Sequence, residues 1–211
     1  NWSTIVKKRP EIATKIYQNI ALDLKNRLNH SNNKLVTLFA TGKIIATYDN
    51  LDKIAAAIIK IILQIIPSNR ALFITFSKIT QRIHIHQSVG YNKVENNTYY
   101  NISKDNLLRV LVKEPETKII SKNNWPKGSE DVIYKSNFLI ITPIQIQKRV
   151  LGFIILGDKE NKREFSINNK ILLEAITSQV APAIEDIASE QFRSAAEEVK
   201  KVYIDPFIKN Q

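Results

Sequence analysis

Few residues in this chain could do chemistry. Its histidines are His30, His84 and His86, and it has no cysteine. Without thiols there are no disulfides, thiolate metal sites or cysteine nucleophiles. His84 and His86 alternate with Ile83 and Ile85 in RIHIHQS (Arg82 to Ser88). A period of two describes a strand with both imidazoles on one face, about 7 Å apart along the chain. That spacing suits a metal, but no third histidine or carboxylate stands near in sequence. The pair is therefore expected to be polar residues on the outward face of an alternating strand. SED (Ser129 to Asp131) offers an acid without a base and reads as a solvated loop. Five glycines, none in a phosphate-cradling pattern, provide no nucleotide loop. No catalytic residue, metal or cofactor is expected.

Such residues need a frame. The chain has 211 residues, 44% of them apolar, enough for one domain with extensions and a hydrophobic core. Its longest apolar run, Ile54 to Ile66, is 13 residues broken by Lys60 and Gln64. That is too short to span a membrane, and the N-terminus lacks the apolar core of a signal peptide. The net charge of +11 would attract a polyanion. The basic residues are dispersed, however, and no helix-turn-helix, zinc-finger or aromatic-basic platform accompanies them. Nucleic acid is the weaker reading. Lys148–Arg149, Lys162–Arg163 and Lys200–Lys201 are the candidates for docking an acidic protein. Abundant Ile, Asn and Lys, all with AT-rich codons, fit a soluble protein of a plastid stroma or of the cytoplasm of an AT-rich bacterium.

Apolar residues at Ile12, Ile16, Ile20, Leu24 and Leu28 give a striped helix. The polar NHSNNK (Asn29 to Lys34) interrupts it or lies within a longer one. Asp49 or Asn50 can cap a helix from Leu51 to Ile66. RALFITF (Arg70 to Phe76), RIHIHQS, NFLIITPI (Asn137 to Ile144) and RVLGFIIL (Arg149 to Leu156) read as strands. Lys118 to Ser121 reads as a short strand, Gly90 to Asn101 as a loop and Lys104 to Pro115 as a helix. A last helix, capped by Ser166 or Asn168, carries Leu172, Ile176, Val180, Ala183 and Ile187, with Pro182 expected to bend it. The order implies an α+β sandwich.

Four stretches in this order resemble the GAF domain family of sensory and regulatory proteins. They are Phe39 to Ser77, LLRVLVKEPETKII (Leu107 to Ile120), FLIITPIQIQKRVLGFIILGD (Phe138 to Asp158) and REFSINNKILLEAITSQVAPAIED (Arg163 to Asp186). The resemblance covers about residues 35–188, leaving an N-terminal helical extension (1–34) and a C-terminal helical tail (189–211). It implies an antiparallel sheet with the terminal helices on one face and a helix-and-loop excursion on the other. The family's covalent bilin attachment and its sulfoxide-reducing members both use cysteine, absent here. Its cyclic-nucleotide members share a pattern that Asn161, Lys162 and Phe165 match in part, but Asn169 and Lys170 replace the acidic pair.

The family encloses ligands between sheet and excursion. Phe73, Thr75, Tyr91, Tyr99, Trp125, Phe138 and Thr142 are the candidates to line such a pocket, the alternative being a filled core. GAF domains also often dimerise through their terminal helices. Tyr17, Ala21, Leu24 and Leu28 step by four and three as a bundle seam does, and Ile184 and Ile187 could continue it. The alternative is packing against the chain's own sheet. Two functions follow: a non-catalytic regulatory module that binds a small molecule or a protein and signals through its terminal helices, or an assembly subunit with a filled pocket. Taken as a whole chain, it has no output domain and would act on another protein.

Overall fold

The computed structural model describes residues 9–129 and 131–203, without the side chains of residues 29, 30, 33, 191, 192 and 195–203. The His30 imidazole, Glu130 and the Lys200 and Lys201 side chains therefore lie outside the described residues. The chain divides into two compact units, Asn1–Phe39 and Ala40–Gln211.

Helix α1 (Pro10–Thr47) runs through the polar stretch without a break. Asn and Ser inside a helix each cost only about 0.7 kcal/mol or less, so a few of them do not end one.

The second unit is built on a sheet. Helix α2 (Leu51–Ile65) starts where Asn50 Oδ1 accepts from the amides of Asp52, at 2.8 Å, and Lys53, at 3.3 Å. Its spacing places Ile54, Ala55, Ile58, Ile59 and Ile62 on one buried face. Then follow β1 (Ser68–Ser77), β2 (Arg82–Val89), β3 (Thr98–Asn101), a short 3-10 turn, α3 (Asn106–Lys113), β4 (Lys118–Ser121), β5 (Phe138–Ile146), β6 (Arg149–Lys159) and α4 (Ile167–Tyr203). All pairings are antiparallel and the strand order is β3-β2-β1-β6-β5-β4. β3 corrects the sequence reading, which had a loop there. Its four residues, TYYN, are too few to show a period, and pairing with β2 makes them a strand.

Two cores lie on opposite faces of this sheet. Phe73, Ile140, Ile154 and Leu156 pack with α2 and α4. Leu72, Ile74, Leu139, Ile141, Phe153 and Ile155 pack with α3 and the loops around it. The central strands are covered on both sides, which is why they read as nearly continuous apolar runs.

Helix α4 continues through Pro182. Pro182 and Ser178 are both exposed, so the Ser178 carbonyl, deprived of its amide donor, belongs to the outer side of the helix. On the other side of the helix Leu173, Ile176, Val180 and Ile184 are buried against the sheet.

Candidate functional site

β1 and β2 pair so that Thr75 lies opposite His84, and β2 and β3 pair so that His84 lies opposite Tyr99. The His84 and Tyr99 rings stack at 4.2 Å between centroids. The first turn of α2 lies over this row. Asp52 Oδ1 is 2.6 Å from His86 Nδ1, and Thr75 Oγ1 is 2.8 Å from His86 Nε2. An ionised carboxylate cannot donate, so Nδ1 carries the proton of the neutral ring and Nε2 accepts from the Thr75 hydroxyl. The sequence reading placed both histidines outward. In the structure His86 is buried, because α2 covers the face of β2 on which the histidines stand.

Burial lowers the pKa of His86, against the opposing hydrogen bond from Asp52 and assisted by neighbouring His84. Burial likewise lowers His84, with Asp52 opposing. Both rings are therefore held toward the neutral form, with a defined tautomer at His86.

The group opens into a cleft of about 420 Å³. Asn50, Asp52, Thr75, Arg82, His84 and Tyr99 supply polar atoms, and Leu151, Ile184, Ile187 and Ala188 form an apolar wall. Polar groups converging on an apolar wall are what small-molecule sites offer. A hydroxyl, an imidazole and a carboxylate in line also share the connectivity of nucleophile triads. Thr75, however, is ladder-paired on both sides, with His84 and Gly152. The amides of its strand are committed to the sheet, not free to stabilise an oxyanion. Binding is the chemistry this arrangement serves best. Among the described residues no cluster of three or more His, Asp or Glu could hold a metal, and both His86 nitrogens are occupied.

The residues expected to form one pocket are divided. Thr75 and Tyr99 line the cleft, and Thr142 lines a second one beneath α4. Phe73 and Phe138 belong to the core on the helix-covered face. Tyr91 and Trp125 lie on the opposite face, where the Tyr91 hydroxyl is 3.1 Å from Ser136 Oγ and Trp125 Nε1 donates to the Ser136 carbonyl at 3.2 Å. A period of two sends Phe73 and Thr75 away from the excursion. On that face Phe153 and Tyr134 are fully buried, and Tyr91 lines a separate cleft of about 440 Å³ with Arg70, Lys93, Asp131 and Ile133. The Tyr134 hydroxyl donates to Asp105.

Tyr17, Ala21, Leu24 and Leu28 are exposed on α1. Ile184 and Ile187 follow the alternative, packing on the chain's own sheet. Ile184 is buried in the helix-side core, Ile187 packs against it, and both line the cleft. Arg149 pairs with Glu185 of α4, while Lys148, Lys162 and Arg163 are exposed. Asp52 was missed. Its only sequence signal is its place in the first turn of a capped helix, and nothing in the sequence joins it to β2.

Sheet order, helix placement and excursion together define a GAF-like fold. The GAF domain of a phosphoenolpyruvate-protein phosphotransferase from Coxiella burnetii is similar over 75% of this chain and 96% of its own, with TM-score 0.65 and 12% identity. The phycoerythrobilin-bound GAF domain of a cyanobacterial phytochrome is similar over 76% of this chain and 99% of its own, with TM-score 0.59 and 16% identity. A free methionine-R-sulfoxide reductase from Neisseria meningitidis, in complex with its substrate, shares the fold over 73% of this chain and 89% of its own, with TM-score 0.59 and 12% identity. No protein-family model and no curated protein matches the sequence.

Proposed function

We propose that this chain is a non-catalytic regulatory module of the GAF type, which binds a small molecule in the cleft beside His86 and passes the event to a partner through α4. One observation carries the reading. Ile184, Ile187 and Ala188 of α4 line the same cleft as Asp52, Thr75 and His84, so an occupant touches the helix that continues to Tyr203. Any occupant with different affinity for two positions of α4 would bias them. The cyanobacterial domain, bound to phycoerythrobilin, is an example of a ligand on this fold. Here the absence of cysteine excludes a thioether-linked ligand.

The test is native mass spectrometry of the chain purified gently from its source, followed by hydrogen exchange. A bound small molecule is expected, and its presence should slow exchange around residues 50–54 and 84–86 and also across 184–203. Exchange changes confined to the cleft would remove the signalling step.

A second reading has its own support. Tyr134, Phe153 and their neighbours pack the excursion side of the sheet, and exposed Lys148, Lys162 and Arg163 suit an acidic partner. An empty chain held at fixed stoichiometry in a larger assembly would favour this assembly-subunit role. Among the described residues no helix is long and apolar enough to cross a membrane.

A further inference from the structure

The cleft beside His86 has one charge of each sign, and the two do not meet. Among the described residues that line it, Asp52 and Arg82 are the formally charged ones, while burial holds His84 and His86 toward the neutral form. Asp52 commits Oδ1 to His86. Its Oδ2 has no partner among the described residues, and its side chain is 45% exposed. Arg82 is exposed and makes no ion pair or hydrogen bond through its side chain with a described residue. Both charges are open to an occupant.

β2 explains their separation. Its period of two sets Arg82, His84 and His86 on the face covered by α2, with Ile83 and Ile85 in the opposite core. An extended strand advances about 3.4 Å per residue, which puts the Arg82 and His86 Cα atoms roughly 13 Å apart. Asp52 is fixed at the His86 end by the 2.6 Å contact, and Arg82 stands at the other end. Between them His84 is half-buried and stacked on Tyr99. No described residue hydrogen-bonds either nitrogen of its ring.

The chemistry of the lining selects the occupant. A guanidinium matches a carboxylate in a two-bond fork, and an aspartate accepts from an ammonium. An ion of a single sign would satisfy one of these residues and face the other as a like charge. A zwitterion satisfies both. An α-amino acid carries its two charges on one carbon, whereas poles set apart along a strand call for a chain between them. Leu151, Ile184, Ile187 and Ala188 give the methylenes of such a chain an apolar wall. The neutral His84 ring, with one nitrogen donating and the other accepting, can serve either end. The volume of about 420 Å³ lies within the range of small-molecule sites.

We propose that this cleft binds an ω-amino acid, a zwitterion with its carboxylate at Arg82 and its ammonium at Asp52. It rests on the reading of this cleft as a small-molecule site and needs no signalling through α4.

The experiment titrates the full chain at fixed pH with 6-aminohexanoate, 4-aminobutyrate, leucine, hexanoate and hexylammonium chloride, following the His84 and His86 ring protons by NMR. Saturable shifts of His84 with an ω-amino acid at millimolar concentration are expected, with leucine, hexanoate and hexylammonium weaker by about tenfold or more. Arg82→Gln removes the charge of an exposed side chain that holds no partner. It should unfold at the temperature of the wild type, weaken the ω-amino acid by about tenfold or more, and bind hexylammonium no less well. Equal or tighter binding of leucine, hexanoate or hexylammonium to the wild type overturns the proposal and leaves the small-molecule reading standing. Undiminished binding of the ω-amino acid to Arg82→Gln does the same. No saturable shift from any probe also overturns it, and native mass spectrometry then decides the reading beneath it: a bound molecule of another class keeps that reading, and an empty chain removes it.

Discussion

His86 shows how one side chain can be committed by its surroundings. Its ring is buried, with each nitrogen in a short contact, and burial lowers its pKa from 6.5. The unfolded chain therefore holds more protons than the folded one between the lowered value and 6.5. Stability from this group is complete above 6.5 and drains away as the pH falls through that window. His84 acts in the same direction. Urea unfolding should accordingly show a lower midpoint at about pH 5.5 than at about pH 7.5. His86→Gln should cost about 1–3 kcal/mol at the higher pH, by leaving Asp52 and Thr75 without their partner, and should flatten the pH dependence. An unchanged slope in that variant would mean that other groups carry it. Asp105 works oppositely. Burial raises its pKa from 3.8, so its protonation favours the folded form, and the comparison with His86→Gln separates the histidine contribution from it.

Among the elements, the β1–β6 pair controls the site most directly, because Thr75 stands opposite Gly152. A Cβ built on Gly152 would lie 2.1 Å from the Ile74 carbonyl oxygen and 2.9 Å from Thr75 Cα. Both obstacles are backbone of a central strand, so neither can step aside cheaply. Gly152→Ala should destabilise by about 4 kcal/mol or more, in the range of the exceptional point mutations, and displace Thr75 from His86. Gly42 in α1 is the control, since a Cβ there meets nothing within 4 Å. Gly42→Ala should stabilise by about 0.5–1 kcal/mol through helix propensity. Equilibrium urea unfolding of both variants checks the pair, and a mild Gly152→Ala would mean that β1 and β6 can separate without losing the sheet.

For the whole molecule, the question is what meets α1. Tyr17, Leu24 and Leu28 are 54%, 60% and 62% exposed, and their spacing of seven and four suits a helical seam. Self-association through α1 is the expected use. Sedimentation velocity should show a dimer for the wild type and a monomer for Leu24→Glu combined with Leu28→Glu, with unchanged circular dichroism in the second unit's unfolding transition. A wild type that sediments as a monomer at micromolar concentration would reserve this face for another protein.

The sequence by itself determined the frame. The central strands β1, β5 and β6 were legible because burial on both faces demands unbroken apolar runs, and α2 and α4 because one-sided burial imposes a helical period. Their order was sufficient for the resemblance to the GAF family. Tertiary structure alone decided the sites. Which face of β1 receives a helix is a long-range matter, so Phe73 and Thr75 could not be told from Tyr91 and Trp125 by residue type. Asp52 and His86 are 34 residues apart, and their meeting depends on α2 folding back over β2. Periodicity is local and survives in the sequence, whereas convergence is made by the chain's return upon itself.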